Sequence, residues 1–243
     1  MPDVQTLCEI GSDELLRTQY LSAILTFEQA ESMALHHEDW DALARLYMPL
    51  QEARRQARQR CGEGTIELDL LATSPTDGPD PYEIADDYET GQLLVAGWAS
   101  IEPAVRLRQL AKEKKQYLET YLAAVYPVGA GRAVVIVPTA DVKLPDESPR
   151  SLDRLMAMLP AHSIVLAESE LPVGPHQGTP ETYARTMALW ERLHAPFLAS
   201  ADMQIDPVQK IHAYRATIAV DNACELAHQK LSAVAHELAR AKK

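Results

Sequence analysis

The residues best suited by type to do chemistry fall into three groups along this 243-residue sequence. The first is rich in carboxylates. Four short apolar runs, IELDLL, LLVAGW, AVVIV and SIVLA, are each followed by polar side chains. Thr73, Ser74 and Asp77 follow the first, and Ser100 and Glu102 the second. Thr139, Asp141 and Lys143 follow the third, and Glu168, Ser169 and Glu170 the fourth. In an open parallel sheet, ligands bind beyond the carboxyl ends of the strands, where helix N-termini also offer free N–H groups. Several carboxylates with a lysine there could bind a cation or a polyol, or do acid–base work. Asp77, Ser100, Asp141, Lys143, Glu168 and Glu170 are therefore the ligand-binding candidates. The plainer alternative is that they cap turns and helices in solvent-facing loops.

The second group comprises two Glu-x-x-His pairs, Glu191/His194 and Glu225/His228. Residues i and i+3 share a helix face, and paired motifs of this kind build di-iron centres in helical bundles. The carboxylates such a centre needs from two further helices have no clear source, and Pro196 disturbs the geometry around His194. The stripe Asp221–Glu225–His228–Ser232 reads as a solvated face. No metal and no cofactor are expected. The third group is the basic run Arg54, Arg55, Arg58 and Arg60. Arg54, Arg55 and Arg58 are candidates for binding an anion, against the alternative of a helix end whose cations complement the dipole. No interleaved aromatic residues favour base stacking.

Other chemistry has weaker support. GAGR at 129–132 precedes a strand-like run, whereas a dinucleotide loop follows a strand and opens a helix, so it reads as a turn. There is no Gly-x-Ser-x-Gly elbow, and no Cys stands beside a His in the sequence.

These side chains must be positioned by elements that the apolar pattern outlines. Helical spacing covers Ser12 to about His36, with Ser12 as a plausible cap, and then Trp40 to about Cys61, capped by Asp39, closed by Gly62 and interrupted by Pro49. The short HHED link between them makes an antiparallel hairpin. After Gly64 the four strand-like runs alternate with expected helices at Pro81–Tyr88, Pro103–Tyr126 and Pro149–Leu159. Alternation of this kind implies a small, mostly parallel sheet of about four strands. Two helices follow, Pro180 to about Ala201 and Pro207 to the end. Asp80, Glu102, Ser148, Thr179 and Asp206 each precede a proline, the residue pre-set for the first helical position. The fold expected is helix-rich α/β, divided at 1–63, 64–178 and 179–243.

FEQAESMALHHEDWDALARLYMPLQEA resembles one hairpin of a tetratricopeptide-type repeat, with alanines at close-approach positions, aromatic knobs and a short polar turn. The resemblance covers that hairpin alone, since no second copy follows at a period near ~34 residues. It implies a helical surface for protein partners.

The formal charge of −12 (23 basic against 35 acidic side chains) opposes whole-surface attraction to nucleic acids or anionic membranes. No apolar run approaches the ~20 residues of a membrane span, and no secretory signal is visible at the start. Three widely spaced cysteines form no disulfide framework, so a cytoplasmic protein with reduced thiols is expected. The function expected is a non-catalytic interaction or scaffold module that self-associates or binds a protein partner through its helices. The alternative is a small-ligand-binding protein or enzyme using the strand-end carboxylates.

Overall fold

A computed structural model describes residues 2–146 and 151–242. The chain divides into two compact units: Met1–Gln59 with His194–Lys243, and Arg60–Leu193. Both divisions fall inside helices.

The first unit is entirely helical among its described residues. It contains α1 (Val4–Leu16), α2 (Tyr20–His36), most of α3 (Trp40–Glu63), the end of α7 (Pro180–Asp202), α8 (Pro207–Val220) and α9 (Glu225–Ala241). One apolar core runs through all of them, with Phe27, Leu43, Tyr47 and Leu50 meeting Ile211, Leu231 and Ala235. Two of these helices correct the sequence reading. The segment expected as one helix from Ser12 to His36 is two, broken at Thr18, which takes a left-handed φ of 61°. Ser12 is no cap; its hydroxyl donates to the Cys8 carbonyl, and Asp3 caps α1 by accepting from the Thr6 amide. Gly11 lets α1 and α2 close up, since a Cβ there would lie 2.7 Å from the Phe27 ring. Likewise the helix expected from Pro207 to the end is α8 and α9, separated by Asp221–Cys224. The expected cap Asp39 does hold α3, accepting from the Ala42 amide at 3.0 Å.

The second unit is built on a six-stranded mixed sheet of order β5-β4-β3-β2-β1-β6. Its strands are β1 (Thr65–Leu71), β2 (Thr90–Trp98), β3 (Tyr117–Val128), β4 (Gly131–Val137), β5 (Ile164–Ala167) and β6 (His176–Gln177). The four expected strands are all present, but the expectation of about four mostly parallel strands is corrected. Only β1·β2 and β2·β3 pair in parallel; β3·β4, β4·β5 and β1·β6 are antiparallel. The main cause is β3, which occupies the second half of the expected helix Pro103–Tyr126. Helix α5 (Glu102–Lys114) stops at Lys115, whose φ is 54°, and the chain then enters the sheet. Because β3 is buried on both faces, it shows no alternation, and Leu118, Tyr121, Leu122 and Val125 mimic a helical stripe.

GAGR is the turn of the β3–β4 hairpin. Val128 pairs with Gly131 across Gly129–Ala130, and Gly129 supplies the positive φ (61°) that a tight hairpin turn requires. On one sheet face α4 (Pro81–Asp87), α5 and α6 (Leu152–Met158) pack over Leu93, Val95, Leu122 and Val135. Sequential parallel crossovers of one hand place α4 and α5 on that same face. On the other face the first part of α7 stacks Trp190 on Tyr121, ring centroids 4.5 Å apart. Ser151 caps α6, while the expected start at Ser148-Pro149 lies outside the described residues.

Candidate functional site: a charged cluster inside the helical unit

The α8–α9 break brings Asp221 into the interior. It is the C-cap of α8 and is 1% exposed. A buried carboxylate must be paired, and this one has partners on every side. Arg58 Nη1 donates to Oδ1 at 2.5 Å, and the Ala223 amide donates to the same oxygen at 3.1 Å. His194 Nδ1 approaches Oδ2 at 2.6 Å. Arg58 also donates to Asn222 Oδ1 at 3.3 Å, so one guanidinium ties α3 to the whole junction.

The charge states follow from these contacts. Burial works against the Asp221 carboxylate, but the Arg58 charge and the His194 hydrogen bond overcome it and hold its pKa at about 2. Burial likewise opposes a charged His194. The hydrogen bond to Asp221, followed by the Cys224 side chain lying against the ring, reverses that and raises its pKa to about 10. His194 is therefore an imidazolium at neutral pH, donating through Nδ1.

His228 is its opposite. It is fully buried; burial first, then the nearby Arg54 charge, lowers its pKa to about 4. Its tautomer is set by its neighbours. Arg54 Nη1 lies 3.1 Å from Nε2, and a guanidinium can only donate, so Nε2 accepts. The proton is then on Nδ1, which faces the Cys224 carbonyl at 2.8 Å. Arg54 Nη2 reaches Glu28 at 3.0 Å. Two neighbouring histidines are thus held in opposite protonation states, the pattern by which acid and base roles separate. Below the cluster, Tyr47 donates to Glu31 at 3.0 Å, and Arg215 Nε donates to the same oxygen at 3.0 Å.

Several expectations change here. The stripe Asp221–Glu225–His228–Ser232 is not solvated: only Glu225 is exposed, and Ser232 donates inward to the Ala44 carbonyl at 2.6 Å. Arg54 and Arg58 are buried rather than on a solvated helix end, while Arg55 is half-exposed and paired with Glu52 at 2.8 Å. Of the Glu-x-x-His residues, Glu191 and Glu225 are exposed while both histidines point into hydrogen bonds. Among the described residues no three His, Cys, Asp or Glu side chains converge as a metal-ligand set. Cys224 and His194, thirty positions apart, become neighbours only through the fold.

The strand-end residues are separated by topology. Because β4 runs against β3, the loop carrying Asp141 and Lys143 leaves toward the opposite end of the sheet from the loops after β1, β2 and β5. Each has local work where a partner is described. Asp77 accepts from the Thr73 hydroxyl, Ser100 accepts from the Glu102 amide, and Asp141 accepts from Thr139 at 2.5 Å. The Ala167 amide donates to Glu170 at 2.5 Å. Glu168 takes both arms of Arg132, which also donates to the Ala72 carbonyl at 2.8 Å. Arg132 was hidden in the turn sequence, where nothing marked it as a clamp on the sheet end. Lys143 is exposed.

One concave surface belongs to the helical unit. A cleft of about 400 Å³ opens between α1, α2 and α3. Phe27, Leu46 and Pro49 line it, with Leu16, Glu9 and Asp13 on its α1 wall. Leu16 is 84% exposed, and Ile10 and Met48 are also exposed large apolar residues of α1 and α3.

No protein-family model, curated protein or solved structure matches the chain.

Proposed function

We propose that the protein is an interaction module whose α1–α3 cleft receives a basic amphipathic helix from a protein partner. The observation that carries this reading is the cleft itself, backed by the buried core residues Phe27 and Leu46 and edged by Pro49 and a nearly fully exposed Leu16. A helix laid in such a groove offers apolar anchors at i, i+3 and i+4. The wall carries Glu9, Asp13 (paired with Arg17) and one cation, Arg45, so the preference for a basic partner over a second copy of the same acidic chain comes mainly from the chain's net charge of −12. The tetratricopeptide-like look of the α2–α3 hairpin supports the same reading. So does the local engagement of the strand-end carboxylates, which leaves the ligand-site alternative with less to work with. Cys8, Cys61 and Cys224 form no disulfide, which suits a cytoplasmic setting. No helix among the described residues is long and apolar enough to cross a membrane.

The test is a display selection with a library of helical peptides on the full chain. Enriched peptides should be basic and amphipathic, and Leu16→Asp should abolish their binding while leaving the circular dichroism spectrum unchanged. Enrichment of acidic sequences, binding insensitive to Leu16→Asp, or no enrichment would each remove the reading.

A further inference from the structure

We infer that the partner helix carries a lysine that donates to the Arg45 backbone carbonyl, an acceptor that Pro49 leaves open on the α3 side of the cleft. The inference rests on the reading of that cleft as a helix-binding groove. In an α-helix each carbonyl accepts from the amide four residues further on. Pro49 stands inside α3 and has no N–H, so the turn from Arg45 to Pro49 is not closed in that way. Arg45 and Pro49 both line the cleft, the first exposed and the second half-buried, which puts the interrupted turn on the groove. The N–H and O–H side chains that line the cleft are engaged elsewhere. Gln5 Nε2 donates to Glu9 at 2.7 Å, and the Ser12 hydroxyl to the Cys8 carbonyl at 2.7 Å. The Arg45 guanidinium donates to Gln5 at 3.2 Å and pairs with Asp41 at 3.3 Å.

Covering the cleft makes this acceptor selective. While the groove is open, solvent supplies the Arg45 carbonyl with a donor. A helix laid over it excludes solvent, and a carbonyl buried without a donor opposes binding. The partner must therefore bring a donor to this point. Its own helical amides are already used, so a side chain has to supply it. Charge and shape choose which one. On the α1 wall Asp13 is paired with Arg17 at 2.8 Å, and Arg45 with Asp41, which leaves Glu9 against the neutral Gln5. A cationic donor thus meets a carboxylate as well as the carbonyl. Arginine presents a rigid five-donor fork suited to a carboxylate or phosphate, whereas a lysine ammonium is a compact point donor on a flexible stem and suits a single carbonyl. This lysine belongs among the partner's i, i+3 and i+4 apolar anchors, not on its solvent face.

The experiment runs the helical-peptide selection on the full chain and, in parallel, on Pro49→Ala, whose restored amide closes on the Arg45 carbonyl. The unaltered chain should enrich peptides with a lysine at one fixed place within the apolar anchor spacing. Pro49→Ala should keep the anchors and lose the lysine. Exchanging that lysine for methionine in the best peptide should weaken binding to the unaltered chain about tenfold, the lower range for a hydrogen bond to a charged group. The same exchange should weaken binding to Pro49→Ala by much less, since only the exposed Glu9 then remains to meet the ammonium. Comparing the two exchanges removes any general change of groove shape that the alanine brings. Enriched peptides without a fixed lysine, or equal lysine dependence in both chains, overturn the inference and leave the groove standing. No enrichment on the unaltered chain removes the groove reading itself. If Pro49→Ala binds no peptide, the lysine exchange on the unaltered chain decides alone, with undiminished affinity as the overturning result.

Discussion

The two units of this chain bury their polar residues in opposite ways. In the sheet unit the buried polar side chains are mostly single neutral groups, with one carboxylate, Glu67, that accepts from the Tyr88 hydroxyl. Gln92 accepts from Trp190 Nε1 at 3.4 Å, and Thr186 donates to the Tyr183 carbonyl at 2.8 Å within its own helix. Its ion pair at the sheet end, Arg132–Glu168, is part-exposed. In the helical unit, Arg54, Arg58, Asp221 and His228 are all buried and share partners across α3, α7, α8 and α9. A sheet fixes its register through backbone hydrogen bonds and alternation. Packed helices can slide by a turn without losing much apolar contact. Buried charges that must meet exact partners penalise every slipped arrangement, so we read the Arg58–Asp221–His194 group as the device that sets helix register in that unit.

The sharpest break of this comparison is Asp221→Ala. It leaves Arg58 and His194 facing each other without the carboxylate between them, and should cost about 3–5 kcal/mol in urea unfolding. Replacing both members of the pair, Arg58→Met with Asp221→Leu, should cost less than Asp221→Ala, because no buried charge is then left unmatched. A double variant at least as damaged as the single one would remove the register reading.

The matching perturbation of the sheet unit is Leu94→Ala. Leu94 is fully buried in β2, and losing its side chain should cost about 2–5 kcal/mol through transfer and cavity terms. Here the damage should be independent of pH. Equal pH dependence in Leu94→Ala and Asp221→Ala would erase the distinction between the units.

The helical unit itself should respond to pH from both directions. His194 is raised to about 10, so its contribution is complete below its unfolded value of 6.5 and is lost as pH rises toward 10. His228 is lowered to about 4, so its contribution is complete above 6.5 and is lost as pH falls toward 4. Asp221 adds a further loss between its model-compound value of 3.8 and about 2. Exchange protection of α9 amides, corrected for intrinsic rates, should therefore peak near pH 6.5 while that of β3 amides stays level. The groups that face this cluster and bear on the outcome are Arg54, Arg58, Glu28, Asp221 and Cys224.

How much of this was legible in the residues follows the same contrast. Strands β1, β2, β4 and β5 announced themselves because apolar runs were bounded by turn chemistry, and proline marked the starts of α4 and α8. The α8–α9 break turns at Asp221 with an extended backbone, whereas two of the missed helix ends share a cause: the chain stops those helices on non-glycine residues with positive φ, Thr18 and Lys115, where no glycine or proline gives warning. The similar turn at Glu38 was found only because Asp39 caps the next helix. The charged cluster was illegible for a different reason. His194 and Asp221 read as solvated because each belongs to a helix with polar neighbours, and only packing from a third helix, carrying Arg58, buries them.

The finest test compares one atom removed from each unit. Tyr47 and Tyr121 are both fully buried, and each donates its hydroxyl hydrogen to one described acceptor. Tyr121 donates to the Thr186 carbonyl at 2.7 Å, a neutral acceptor in α7. Tyr121→Phe should cost about 0.5–1.5 kcal/mol, the usual net worth of such a bond. Tyr47 donates to the Glu31 carboxylate, whose burial depends on its donors, and bonds to charged groups contribute about 1.5–3 kcal/mol. Arg215 still reaches Glu31 in Tyr47→Phe, so the loss should fall toward the lower end of that range. The helical-unit variant should therefore be the more damaged of the two by a measurable margin. Adding Arg215→Met should widen that margin by more than Arg215→Met costs alone, because both of the donors to this part-buried carboxylate are then gone. Equal costs for the two tyrosines, with simple additivity at Arg215, would mean that the helical interior treats its charges no differently from the neutral groups under the sheet.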